Sequence, residues 1–177
     1  MSDLLKNIIR FILFILIQVF ILNKIPALHR FITPYLYYLF ILWMPFKTPR
    51  LSITIIGFLF GLTLDFFEQT PGLHAAACSM IAYLRGLLIS LLMPKEAVEI
   101  SYAEPSVTSM GLMPYATYIL LLTFIHHAYL VLLEWMQLGN ILYFLGKVLA
   151  TTGISLLLIA ITEMLFNRKS RYRTNVA

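Results

Sequence analysis

The chain has 177 residues, 60% of them hydrophobic and only 12% charged, with a net charge of +5. A soluble domain this size carries about twice that charged fraction, so there is too little polar surface to cover a water-exposed fold. A bilayer removes that problem, and it leaves only helices or a closed barrel, because backbone groups must then be satisfied internally. The apolar run Phe11–Leu22 lacks the alternation of a barrel strand, so the sequence predicts an all-α integral membrane protein.

Six spans are expected in chain order. The first covers 8–22. Lys6 and Arg10 resemble the start of a signal peptide, but no small-residue cleavage pattern follows, so this run is read as a retained span. The second, 32–46, is short: Pro34 and Pro45 bracket it, and about 20 residues are normally needed to cross. It is expected to be short, tilted or partly interfacial. The third covers 51–67, after Lys47, Thr48, Pro49 and Arg50. The fourth covers 73–93 and stops at Pro94. A polar connection, 94–113, contains Lys95, Glu96, Glu99 and Glu104. Its Val98, Ile100 and Tyr102 alternate with polar residues, which suggests a short strand or hairpin. The fifth span covers 114–136, the sixth 140–166, and a basic tail 167–177 follows. The whole is one transmembrane domain.

Lys and Arg counts set the topology. With the N-terminus inside, Lys6, Arg10, Lys47, Arg50, Lys95, Arg168, Lys169, Arg171 and Arg173 are cytoplasmic, against only Lys24 and Arg30 outside. Both termini are therefore expected in the cytoplasm. The tail is read as a contact for anionic lipid headgroups, not for nucleic acid.

A few polar and small side chains carry the remaining information. Gly57, Gly61 and Asp65 are four apart and share one helix face. Glycines at that spacing allow close helix approach, while a carboxylate at the end of such a face needs a partner or water. The fourth span has a second small stripe, Cys78, Ala82, Gly86 and Ser90, with Arg85 almost on the same face. Arg85 is expected to point into the bundle and to find an acid or free carbonyls, because facing lipid costs about 2.5 kcal/mol or more.

The fifth span carries Thr123, His127 and Glu134 on one side, with His126 beside them. Adjacent histidines point about 100° apart, and no metal-binding spacing is present, so no metal is assigned. The sixth span has Gly146, Ala150 and Gly153 as a third small surface, with Lys147 expected to pair with Glu134 or Asp65. Glu163 is expected near the inner end, neutralised by the tail. The single cysteine, Cys78, excludes an intrachain disulfide. No hydrolase, nucleotide-binding or metalloprotease motif occurs, so no enzyme activity and no cofactor are assigned.

Gly57-x-x-x-Gly61-Leu62-x-x-Asp65, followed by Pro71-Gly72-Leu73-His74-Ala75 and Tyr83, resembles the rod shape-determining protein MreD family. Length, span count and basic tail fit as well. The long 94–113 connection and the short second segment depart from better-known members. The resemblance implies a fold similar to the S-components of vitamin importers. It also implies a non-catalytic scaffold of cell elongation in the bacterial inner membrane. The partners would be an MreC-type bitopic protein, an MreB-type filament and a rod-type peptidoglycan synthase. Gly57, Gly61, Asp65, Gly72, His74, Arg85, His127, Glu134 and Lys147 are the candidate partner-binding or structural residues. Two rivals stand beside it. A solute-binding importer subunit would need a hydrated pocket onto which Asp65, His74, Glu134 and Lys147 converge. A small membrane enzyme would need a nucleophile beside a base, and none is evident.

Overall fold

A computed structural model describes residues 3–25, 33–93, 104–134 and 140–166. The basic tail, the first ten residues of the 94–113 connection with their alternating Val98, Ile100 and Tyr102, and Arg30 lie outside the described residues.

Five helices are long and apolar enough to cross a membrane: Leu4–Lys24, Arg50–Glu68, Leu73–Leu92, Leu112–Glu134 and Ile141–Leu165. The first consists of α1 (Asp3–Leu16), a π-helical turn over Ile17–Ile21 and a 3₁₀ turn over Leu22–Lys24. The others are α3 (Arg50–Glu68), α4 (Leu73–Leu92), α6 (Leu112–Glu134) and α7 (Ile141–Leu165). Their outward faces carry exposed Leu, Ile, Phe and Met, up to 84% at Met164. Lipid is the solvent that tolerates so much apolar surface.

The expected second span is different. Within 33–49 only one turn is helical, α2 (Leu39–Leu42). The segment is not at the surface: Tyr37, Tyr38, Leu39, Ile41 and Leu42 are fully buried. The segment is therefore enclosed by the helices around it. Chain length gives the reason. Eleven residues from Pro34 cover about 16 Å as a helix but more than twice that if extended. A broken segment descends further than a helix of the same length, and Pro34, Pro45 and Pro49 oppose a continuous helix.

The segment runs along the first helix from the level of Gln18 to that of Arg10. It enters where the Gln18 amide donates to the Pro34 carbonyl, near the pair Asn23–Glu68. It leaves where the Trp43 indole lies under Arg10 and donates to Glu163. Five helices thus pass the length and hydropathy of a membrane span, and the segment 33–49 packs between them. The start of α1, the start of α6 and the end of α7 meet at one end, since Tyr115 also donates to Glu163.

Between α4 and α6, Ser106 caps the short α5 (Val107–Met110) in a reciprocal arrangement with Ser109. Glu104 pairs with Lys6 (2.6 Å) and Arg10 (2.9 Å), which ties this connection to α1.

Candidate functional site

The α3–α4 corner shows what the Gly57–Ala75 pattern does. A Cβ on Gly61 would lie 2.5 Å from the Ala75 Cα and 2.6 Å from its N, and one on Gly57 would lie 3.0 Å from both the Ala82 Cβ and the Cys78 carbonyl oxygen. The glycine face is therefore closed against α4, with backbone nearly touching backbone. Asp65 completes the corner. Its Oδ1 accepts from the His74 amide (2.8 Å) and the Thr70 hydroxyl (3.0 Å), and its Oδ2 accepts from the Ala75 amide (2.9 Å). Two orphan donors at the start of α4 are thus capped by a carboxylate from α3, where the helix dipole also favours negative charge. Gly72, at φ +83°, makes the turn that brings α4 back.

From this corner a polar network runs into the core. Glu68 meets His74 Nε2 (3.1 Å), His74 Nδ1 meets the Tyr37 hydroxyl (2.7 Å), and that hydroxyl meets His126 Nε2 (3.0 Å). One set of proton positions satisfies it with neutral rings. His74 donates from Nε2 to the carboxylate, Tyr37 donates to His74 Nδ1, and His126 donates from Nε2 to the Tyr37 oxygen. The remaining His126 Nδ1, buried and without a partner among the described residues, is then a lone pair rather than an orphan N–H, the less costly of the two. Tyr38 stacks on His126 at 4.4 Å.

A second chain starts at His127. Its Nδ1 donates to the Thr123 carbonyl (2.7 Å), its Nε2 accepts from Ser155 (3.1 Å), and the Ser155 oxygen accepts from the Tyr35 amide (3.3 Å).

Ser155 shares a task with several other side chains. Non-helical backbone at membrane depth must be hydrogen-bonded inside the protein, and each missing bond costs several kcal/mol. Gln18 serves Leu36 N–H (3.0 Å) and the Pro34 carbonyl (3.1 Å). Tyr118 donates to the Leu42 carbonyl (2.9 Å), and Arg85 donates to the Met44 and Pro45 carbonyls. Of the alternatives expected for Arg85, the structure selects free carbonyls. The π turn in the first helix contains Gln18, which is fully buried; such turns often mark a side chain with a special role.

Lys147 pairs with Glu134, not Asp65. Asp65, His74, Glu134 and Lys147 do not form one constellation. Asp65 and His74 belong to the α3–α4 corner, while Glu134 and Lys147 bridge α6 and α7. Glu163 is held by Trp43 and Tyr115; the tail expected to neutralise it is outside the described residues. Among the described residues no three His, Cys, Asp or Glu side chains converge as metal ligands.

Comparisons with known proteins leave the chain without a match. Neither a family model, nor a curated protein, nor a solved structure is significantly similar to it.

Sequence reasoning did not single out Gln18, Glu68, Tyr37, Tyr118 or Ser155. Gln18 had a signal, as the one polar residue between Phe11 and Leu22. The run Pro34-Tyr35-Leu36-Tyr37-Tyr38 had another, since three tyrosines need partners when buried.

Proposed function

We propose that this chain is a non-catalytic scaffold of cell elongation in a bacterial inner membrane. Its partners on this reading are an MreC-type bitopic protein, an MreB-type filament and a rod-type peptidoglycan synthase. The family reading rests on the resemblance carried by Gly57, Gly61, Asp65, Gly72 and His74. One structural observation favours a scaffold over its main rival. The centre of the bundle is filled by the chain's own segment, with Tyr37, Tyr38, Leu39, Ile41 and Leu42 fully buried. A solute carrier needs a chamber there with unengaged polar groups. Here Asp65, His74, Glu134 and Lys147 are engaged in two separate constellations.

The partner surface proposed on this reading is not the Gly57–Gly61 face, which α4 covers. Small residues remain open on α7, where a Cβ on Gly146 or Gly153 would meet nothing within 4 Å among the described residues. A bitopic partner's helix can approach closely there.

The test is purification of the tagged chain from its native membrane after mild solubilisation. Shape and wall-synthesis proteins are expected to co-purify, and depletion is expected to round rod-shaped cells. Leu at both 146 and 153 is expected to reduce co-purification while leaving the chain folded. Co-purification of an energy-coupling ATPase module would overturn the scaffold in favour of an importer subunit.

A further inference from the structure

Arg85 is 2% exposed, and no ion pair involves it among the described residues. Its Nε donates to the Tyr118 hydroxyl (3.0 Å) and its Nη2 to the Met44 and Pro45 carbonyls. Those dipoles orient the guanidinium without cancelling its charge, and arginine does not escape by losing its proton. The side chain borders a cavity of about 260 Å³ between α3, α4 and the segment 33–49.

A second cation borders the same space. The Arg50 guanidinium lies over the Tyr83 ring at 5.0 Å, and a Cβ on Gly86 would come within 3.8 Å of its Nε. The absence of a side chain at Gly86 helps keep the space open. Arg50 also makes no ion pair among the described residues. The described carboxylates nearest in role are engaged elsewhere: Glu104 with Lys6 and Arg10, Glu163 with Trp43 and Tyr115. The rest of the lining is largely apolar, with Phe46, Ile53, Ile89 and Met93.

Two arginines with an apolar wall suit a ligand that joins an anion to a hydrocarbon. A guanidinium fork matches phosphate oxygens in pairs; that fork is open on Arg50, while Arg85, whose Nε and Nη2 already donate to Tyr118 and the two carbonyls, offers its charge and Nη1, and the cavity lies at the end of the bundle that also carries Lys6, Arg10 and Lys47. We propose that this cavity binds the phosphate headgroup of an anionic membrane phospholipid, with Arg85 as the buried anchor and Arg50 as the outer clamp. This inference does not depend on the scaffold reading, since it concerns a lipid site and not a protein partner.

The test is native mass spectrometry of the full chain in detergent, titrated with phosphatidylglycerol, phosphatidylcholine or inorganic phosphate. One phosphatidylglycerol is expected to bind at least about tenfold more tightly than phosphatidylcholine. Arg50→Gln is expected to weaken it about tenfold, the scale of one lost charge-assisted hydrogen bond. Arg50→Lys is expected to lose less, and Gly86→Leu to abolish binding by filling the space. Unfolding temperatures without lipid are measured alongside, and Arg50→Gln, on an exposed side chain, is expected to keep that of the wild type. Equal binding of the two lipids would overturn the proposal, as would unchanged phosphatidylglycerol binding in Arg50→Gln. Displacement of the lipid by millimolar inorganic phosphate would also overturn it, in favour of a soluble anion.

Discussion

Asp65 receives two amides and a hydroxyl, and Gly61 lets the backbone carrying those amides come close enough to be received. The two residues therefore act as one device. Asp65→Ala is expected to cost about 2 kcal/mol or more, by leaving the His74 and Ala75 donors unpaired. Asp65→Asn, which keeps one acceptor oxygen, should recover part of that. Thermal unfolding in a single detergent measures both, and equal losses would mean that the charge, not the bonds, holds the corner. The glycines make a sharper series. Gly61→Ala places a methyl group against backbone and is expected to cost about 3 kcal/mol, at the upper end of overpacking. Gly57→Ala meets a side chain and a carbonyl oxygen at 3.0 Å and should cost less. Gly146→Ala meets nothing and is expected to be neutral or stabilising by a few tenths of a kcal/mol. Any other order would contradict the packing. Because Gly61 is closed inside the bundle, a substitution there perturbs folding first and reports on partner binding only indirectly.

The segment 33–49 is where physical expectation and observed element part. Hydropathy marks 32–46 as apolar, but an apolar run does not distinguish a buried helix from a buried irregular strand. The prolines signalled the break. What the sequence could not display was who would satisfy the freed backbone, because Gln18, Arg85, Tyr118 and Ser155 lie far from it along the chain. Helical periodicity made the long helices and the shared face of Gly57, Gly61 and Asp65 readable. No periodicity links Gln18 to Leu36. Gln18→Leu tests the dependence. Its volume is similar, so the main loss is the pairing of Leu36 N–H and the Pro34 carbonyl. It is expected to destabilise the protein by about 2–4 kcal/mol. Hydrogen exchange should rise first in the peptide spanning 33–44, with α3 and α4 still protected. Uniform exchange across all helices, or no change in that peptide, would mean that Gln18 does not support the segment.

At the scale of the whole molecule, the path of that segment decides topology. Five helices alone would place the start of α1 and the end of α7 at opposite ends. A crossing by the segment between Gln18 and Glu163 would make the number even, and would gather Lys6, Arg10, Lys47 and Arg50 at one end. Lys24 and the Glu134–Lys147 pair would lie at the other. Lysine and arginine asymmetry would then orient the bundle with the basic end in the cytoplasm. Cys78 is fully buried, so an introduced cysteine would report against a quiet background. Lys24→Cys is expected to react with a membrane-impermeant maleimide in spheroplasts. Lys47→Cys is expected to react only after the membrane is opened. Only a crossing between the two positions separates them in this way. Labelling of both from the same side would show that residues 25–46 turn back within the bilayer, and the same-side placement of the two ends would fall with it.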